Sequence, residues 1–135
     1  MYLKDLMQGE KYAFYSIVKH FVSVDGEYSD DEKNLVNGFL DEMQLKEEQI
    51  NEIAPDDAID MLTFSTYSTR KKIFIELIGV SLCDEVLHIE EKNYLDKIAT
   101  AFQISDEEKE ELIKVVHELL GVYGRMNSLV GLPPK

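Results

Sequence analysis

The chain has 135 residues, enough for one domain with a hydrophobic core, and 44% of them are hydrophobic, which excludes a wholly disordered protein. Lys and Arg number 14 and Asp and Glu number 27, so the formal net charge is −13. Such an acidic surface repels nucleic acid and anionic membranes, and it favours divalent cations or basic protein surfaces as partners.

Features that direct a protein to a membrane or an oxidising compartment are missing from this sequence. The N-terminus lacks a basic region followed by an apolar run, so we predict no signal peptide. The most apolar run, residues 73–82, is interrupted by Glu76 and is too short for a membrane span. Cys83 is the single cysteine, so no internal disulfide can form. We therefore expect a cytoplasmic protein.

The first half of the chain predicts four helices. Residues 10–24 carry an amphipathic stripe and should end at the turn pair Asp25-Gly26. Ser29 and Glu32 predict a capping box that opens the second helix. A shorter helix is expected over residues 47–54, and Pro55 should open the fourth. The stripes of the first, second and fourth helices are Phe14, Ile17, Val18 and Phe21; Leu35, Val36, Phe39, Leu40 and Met43; and Ile59, Met61, Leu62 and Phe64.

The second half predicts three more helices. Residues 70–83 are apolar on nearly every side, as in a buried central helix. A further stripe follows residue 94, and a second capping box at Ser105 should open a last helix that runs to about Met126. The tail, residues 128–135, is expected to be extended or frayed. The prediction is an all-α, single-domain bundle of about seven helices covering residues 1–135.

An acidic stretch recurs in the sequence after 59 positions. Asp25 returns as Asp84 and Glu32 as Glu91, and the flanking apolar positions keep the same offset. This register predicts an internal pseudo-two-fold helical repeat over residues 14–50 and 73–109. Each repeat unit would bend at an acidic corner, which runs from Asp25 to Ser29 in the first unit and from Asp84 to His88 in the second.

The two corners are the candidate binding sites. Asp25 and Asp84 each fall at the C-terminal end of an apolar helix, where the helix dipole makes a carboxylate unfavourable by roughly 0.3–1 kcal/mol. A bound cation, capping of the next helix or exposure to water would each offset that cost. If the corners bind metal, carboxylate oxygens favour Ca²⁺ or Mg²⁺. The candidate metal ligands are Asp25, Glu27, Glu32, Asp84 and Glu91.

Alternatives to this metal site remain open at the level of sequence. Counted from Asp25, the first corner lacks the glycine and the closing glutamate of an EF-hand. His88 and Glu91 suit zinc in type, but two ligands do not make a zinc site. The acids of both corners could equally serve as helix caps. The second corner has Glu85 where the first has Gly26, so its turn is expected to differ.

These acidic motifs resemble those of the tellurite-resistance TerB-like family, related to a domain of a DnaJ-type co-chaperone. The resemblance rests on residues 25–27, on Glu32, on the echo at Asp84 and Glu91, and on the segment 102–108. It implies an all-helical bundle with an internal repeat and an acidic module that binds divalent cations and is linked to stress response. It implies no catalysis. The alternative is a metal-independent adaptor or co-chaperone-like scaffold, and a metal-dependent hydrolase is a third option.

Overall fold

The computed structural model describes residues 1–23, 30–82 and 89–132, and every regular element in these ranges is helical. Two short 3₁₀ helices cover Leu3–Asp5 and Glu47–Gln49. The α-helices, in chain order, are α1 (Gln8–Phe21), α2 (Asp30–Met43), α3 (Pro55–Leu62), α4 (Tyr67–Leu82), α5 (Ile89–Ala101) and α6 (Asp106–Leu129). Within the described ranges, none of the helices is both long and apolar enough to cross a membrane.

The all-α expectation is confirmed, but the described helices number six rather than about seven. The difference lies at residues 47–54, where an α-helix was expected. This segment forms a single 3₁₀ turn and then an extended segment that leads to Pro55. Ser16 on α1 accepts a hydrogen bond from the amide of Ile53 at 2.9 Å. A side chain of α1 thus satisfies a backbone amide of the extended segment that a helix would have bonded internally.

The predicted apolar stripes of the first two helices form the centre of the core. On α1 the stripe is 0–1% exposed, and on α2 its members are buried except for Leu35, which is partly buried. As expected, α4 buries nearly all of its second half, and it contacts α1, α5 and α6. Helix α4, which is apolar on most sides, is thus the helix against which α1, α5 and α6 all pack.

Helix α3, which the sequence predicts as the fourth helix, begins at Pro55 as expected and ends earlier than expected. Pro55 lies in its first turn, where the missing amide proton costs no helical hydrogen bond. Ala58, Ile59 and Leu62 face the core, and α3 packs mainly against α1. Phe64 was predicted to continue this stripe. It lies beyond the helix and is 92% exposed, so that prediction is wrong.

The last helix divides into a packed half and an exposed half. Val116 is buried and Leu112 and Ile113 are partly buried against the core, whereas no residue from 117 to 132, the last one described, is buried. Helix α6 therefore contributes to the core only with its first half. The helix also continues three residues past the expected end, to Leu129, so residues 128 and 129, predicted as part of an extended or frayed tail, are helical.

Several structural features recur at the 59-residue spacing of the sequence pattern. The starts of α1 and α4 (Gln8 and Tyr67) are 59 positions apart, and so are the starts of α2 and α5 (Asp30 and Ile89). The helix pairs α1–α2 and α4–α5 are each in contact, and α1 also contacts α4. The features that match are therefore helix starts, where capping groups and the helix dipole act locally.

Candidate functional site: the acidic corners

Three of the five predicted metal ligands lie outside the described residues. Asp25 and Glu27 belong to the first corner and Asp84 to the second. The structure describes the other two, Glu32 and Glu91. Each is the third residue of its helix, Glu32 on α2 and Glu91 on α5, and each of these helices begins directly after a corner.

Glu32 and Glu91 are both buried, with 2% and 3% of their surfaces exposed. Glutamate is almost never this buried unless its charge is compensated, because desolvation of an ionised carboxylate is expensive. Their position in the first helical turn supplies part of that compensation, since the free amides and the helix dipole favour negative charge there. The arrangement holds one carboxylate in a water-poor position at the start of each of two helices that begin 59 positions apart.

The described residues alone do not assemble a metal centre. No group of three or more His, Cys, Asp or Glu side chains that could hold a metal ion occurs within residues 1–23, 30–82 and 89–132. Hard cations such as Ca²⁺ take six to eight oxygen ligands. Any cation held by Glu32 or Glu91 would therefore also need oxygens from the corner segments.

The end of α1, which leads into the first corner, packs against α5, which follows the second. The rings of His20 and Tyr94 are 4.9 Å apart, and Phe21 meets the same tyrosine edge-on at 5.9 Å. Tyr94 lies one turn beyond Glu91 on α5. The two segments that adjoin the corners are thus held together by an aromatic cluster, defined as His20, Phe21 and Tyr94.

The Tyr94 hydroxyl is buried and has no hydrogen-bond partner among the described residues. Burial raises the pKa of Tyr94 to about 12, and the negative charge of Asp56 adds to the effect. Asp56 itself is paired with Lys97 at 2.7 Å, and this hydrogen bond lowers the pKa of the carboxyl group. Tyr94 therefore stays neutral over the whole physiological range, and it serves here as packing for the end of α1.

A cavity of about 350 Å³ opens beside the end of α1. Its lining includes Lys19, His20 and Glu52, so it carries charged groups of both signs. A metal site for Ca²⁺ or Mg²⁺ needs a lining of oxygen ligands, and the cation of Lys19 is unsuited to that. This cavity does not resemble the predicted site.

A pair of acidic residues with a clear function in the fold escaped the sequence analysis. Glu42 on α2 accepts hydrogen bonds from the Met1 ammonium and from the Leu3 amide (2.7 Å), and Glu76 on α4 accepts one from the Tyr2 amide at 2.9 Å. Glu76 also lies 3.0 Å from the Met1 ammonium. These two carboxylates fasten residues 1–3 across α2 and α4. Their partners are backbone groups, and sequence patterns do not reveal such contacts.

The structure describes one of the two predicted capping boxes, the one at Ser105. Ser29 lies outside the described residues. Ser105 accepts a hydrogen bond from the Glu108 amide at 3.2 Å, as predicted for the start of α6. The Glu108 carboxylate instead accepts a hydrogen bond from Tyr67 and pairs with Lys71 at 2.7 Å, which joins α6 to α4. Only the serine half of this capping box is therefore formed, and the Glu108 carboxylate instead holds α6 against α4.

Comparison with protein-family models, with curated proteins and with solved structures finds no match to this chain. The family resemblance carried by the acidic motifs therefore stays a prediction.

Proposed function

We propose that this protein is a non-enzymatic, acidic helical binding module that holds a divalent cation, Ca²⁺ or Mg²⁺, at two repeated corners. The ligands would be Asp25, Glu27 and Glu32 at the first corner and Asp84 and Glu91 at the second. The observation that carries the proposal is the burial of Glu32 and Glu91 at the same place in α2 and α5. A basic protein surface is the other partner that these acids suit.

The argument from burial concerns the free energy of a desolvated carboxylate. A glutamate that only capped a helix could remain in water at little cost, because exposed caps work well. Burial at both positions implies a compensating positive charge or a dense set of donors nearby. A cation shared with the corner acids would supply that charge.

We also propose that the chain arose from duplication of one helical unit. The shared spacing of four helix starts and of the buried glutamates supports this. Duplication gives a reason for two binding corners in place of one. It agrees with the resemblance to the TerB-like family, from which we infer a function in stress or tellurite resistance.

The cation proposal can be tested by calorimetric titration with Ca²⁺ and Mg²⁺. The wild-type chain is compared with Glu32→Gln, with Glu91→Gln and with the double variant, since Gln keeps the shape of Glu but removes its charge. Glu110→Gln is the matched control, because Glu110 is an exposed acid on α6, away from both corners. The heat of binding should fall with each corner variant and vanish in the double variant.

Two readouts make this experiment decisive. A bound cation stabilises the folded state by mass action. The Tm of the wild-type chain should therefore rise when Ca²⁺ or Mg²⁺ is added and fall back to its cation-free value when a chelator is added. The control variant should behave as the wild type does. If the wild type shows no more heat and no more shift in Tm than the double variant, the corner glutamates do not bind these cations.

A second candidate function is a metal-independent adaptor. The exposed apolar second half of α6 favours it, because large apolar surfaces rimmed by polar residues often mark sites of protein association. The two candidates differ in their response to chelator. Association through α6 should survive removal of divalent cations and the Glu32→Gln and Glu91→Gln substitutions, whereas association through cation-filled corners should not.

A further inference from the structure

From residue 112 to residue 129, one face of α6 combines exposed apolar residues with a coiled-coil spacing. Val115, Val122, Met126 and Leu129 are 54%, 47%, 53% and 86% exposed, although all are large hydrophobic residues. Together with Leu112 and Leu119 they recur at alternating intervals of three and four residues from 112 to 129. This is the pattern of a and d positions in a two-stranded coiled coil, whose period is 3.5 residues. We call these six residues the α6 seam.

The seam differs from the face that α6 buries in its own core. Val116 is 6% exposed and Ile113 is partly buried, and both lie to one side of the seam. Leu112, the first seam residue, is partly buried against that core, whereas Val122, Met126 and Leu129 lie beyond the last core contact. From Val115 onward the seam can therefore accept a second helix without displacing the packing of α6 on α4.

Two glycines strengthen the case that this half of α6 has a helical partner. Gly121 and Gly124 interrupt the exposed half, and nothing lies within 4 Å of the place where a Cβ would be at either position. Glycine is among the poorest helix formers, and isolated helices of this length are marginal in water. A helix so composed needs packing against another element for its stability, and the core of its own chain does not supply it there.

Charge identifies the partner as a second copy of this chain, arranged antiparallel. Glu118 and Arg125 occupy the g positions beside the seam, and in antiparallel coiled coils the g positions of the two helices face one another. A two-fold axis near residue 121 places each Glu118 opposite the Arg125 of the other copy. The same register pairs Leu119 with Val122 and Val115 with Met126 across the axis. A parallel pair would instead set Glu118 against Tyr123 of the other copy, with no opposite charge.

The charge of the segment also permits self-association in so acidic a protein. Residues 112–132 contain one acid, Glu118, and two basic residues, Lys114 and Arg125, whereas the whole chain has a net charge of −13. Repulsion between two copies is therefore weakest when they meet along this segment. We propose that the chain forms a two-fold symmetric dimer through antiparallel pairing of the α6 seams.

The oligomeric state can be measured by sedimentation equilibrium over concentrations from about 10 µM to about 1 mM, the range for weak, small interfaces. The wild type should populate a dimer, and Val122→Glu should weaken association by at least about tenfold because it buries an unpaired carboxylate against Leu119 of the other copy. Val122 makes no core contact, so helical circular dichroism should be unchanged. Lys114→Gln, at an exposed position off the seam, lowers the net charge by the same one unit and is the control. A wild type that stays monomeric, or a dimer that Val122→Glu leaves intact, would overturn the proposal.

Charge reversal tests the antiparallel register. Glu118→Arg places two Arg residues opposite each other at both ends of the axis and should weaken the dimer about tenfold. The double variant Glu118→Arg with Arg125→Glu restores both opposite-charge pairs and should return the affinity to within about twofold of the wild type. If the double variant associates no better than the single one, the two residues do not face each other and the register is wrong.

A distance measurement gives an independent check of direction. A spin label at Ser128, introduced as Ser128→Cys with Cys83→Ser, lies off the seam. In the antiparallel dimer the two labelled residues are about 23 Å apart along the helix axes, at 1.5 Å per residue, whereas a parallel pair sets them level. Level labels would overturn the antiparallel arrangement, and labels separated by the longer axial distance would support it. Seam variants leave the corner glutamates intact, so failure here is distinguishable from failure of the cation proposal.

Discussion

Gln44 and Gln103 have the same left-handed backbone conformation, with φ of 57° and 59°. They lie directly after α2 and shortly after α5, and they are 59 positions apart. The hydrogen bonds around them also correspond. Leu45 donates to the Leu40 carbonyl at 3.0 Å, and Ile104 donates to the Ala99 carbonyl at 2.9 Å. Both helices thus end in the same closing turn, in which glycine is the usual residue.

Replacement of either glutamine by glycine should therefore stabilise the fold. Residues with a Cβ are strained in the left-handed region, and glycine is not, so Gln44→Gly and Gln103→Gly should each raise the free energy of unfolding by about 0.5–1 kcal/mol. Urea unfolding measures the change. The β-branched variant Gln44→Val should instead lower stability.

The control for this experiment is glycine at an ordinary helical position. Glu110→Gly, at an exposed position in the first half of α6, should cost about 1 kcal/mol, because there glycine only adds freedom to the unfolded chain. If all three glycine variants lose stability alike, the left-handed strain is not worth the amount inferred here.

Glu42 should make the stability of the protein depend on pH at both ends of the range. Burial works to raise the pKa of Glu42, but hydrogen bonds from the Met1 ammonium and the Leu3 amide outweigh it and leave the pKa below its ordinary value of 4.5. Burial likewise works to lower the pKa of the Met1 ammonium. Hydrogen bonds to Glu42 and Glu76 outweigh that effect, so the pKa lies above 8.0.

The signs of these two shifts define a pH window. The stability that Glu42 contributes is present above pH 4.5 and is lost as the pH falls through the lowered pKa. The contribution of the ammonium is present below pH 8.0 and is lost as the pH rises through the raised pKa. Glu42→Gln should therefore cost roughly 1–3 kcal/mol between these limits, and less outside them.

Denaturant unfolding at acidic, neutral and alkaline pH would test this window. Asp41→Asn removes a neighbouring exposed carboxylate and is the matched control, with an expected change within about 0.5 kcal/mol. A loss in Glu42→Gln that is the same at every pH would show that packing, and not charge, accounts for the effect.

Ionisation of the buried Tyr94 hydroxyl should destabilise the fold in strong alkali. Burial raises its pKa to about 12, from 10.0, so the folded state keeps the phenol proton that the unfolded chain loses. Stability is therefore fully present below pH 10 and falls as the pH rises toward 12. The loss amounts to up to about 2.7 kcal/mol, at 1.36 kcal/mol per pKa unit.

Tyr94→Phe should abolish this part of the alkaline loss. At neutral pH its stability should equal or exceed that of the wild type by about 1 kcal/mol, because the buried hydroxyl has no partner among the described residues. Tyr123→Phe is the control, since Tyr123 is 49% exposed. If both variants lose stability in alkali as steeply as the wild type, the burial of Tyr94 does not control its ionisation.

The parts of the fold that the sequence predicts are those set by local chemistry. The stripe of Phe14 and Phe21 has the helical period, and Pro55 fits a first turn, so the helices around them follow from short-range rules. The burial of Glu32 could not be predicted, because burial depends on elements remote in sequence. Gln44 escaped for another reason. Gln44 recurs as Gln103 at the 59-residue spacing, but glutamine is not a usual residue of left-handed turns, so the identity of the two residues does not predict their backbone conformation.

The extent of the core along α6 was likewise outside the reach of sequence patterns. Leu112 and Met126 belong to one apolar stripe, but periodicity does not say where the rest of the bundle stops. The structure ends the core near Val116. The same pattern therefore describes packing within the chain in the first half of the helix and, in our proposal, packing between chains in the second.

Gly124 offers a way to measure how much the exposed half of α6 depends on helix propensity. Nothing lies within 4 Å of a Cβ at this position, so Gly124→Ala adds no clash. It should stabilise the helix by about 0.5–1 kcal/mol, and Gly121→Ala by a similar amount. Because neither glycine belongs to the α6 seam, the substitutions should not disturb seam contacts. Amide hydrogen exchange of residues 117–129 would measure the gain as slower exchange, with α1 amides as the internal control. Exchange in this half that is unchanged by both substitutions would mean that helix propensity does not limit its stability.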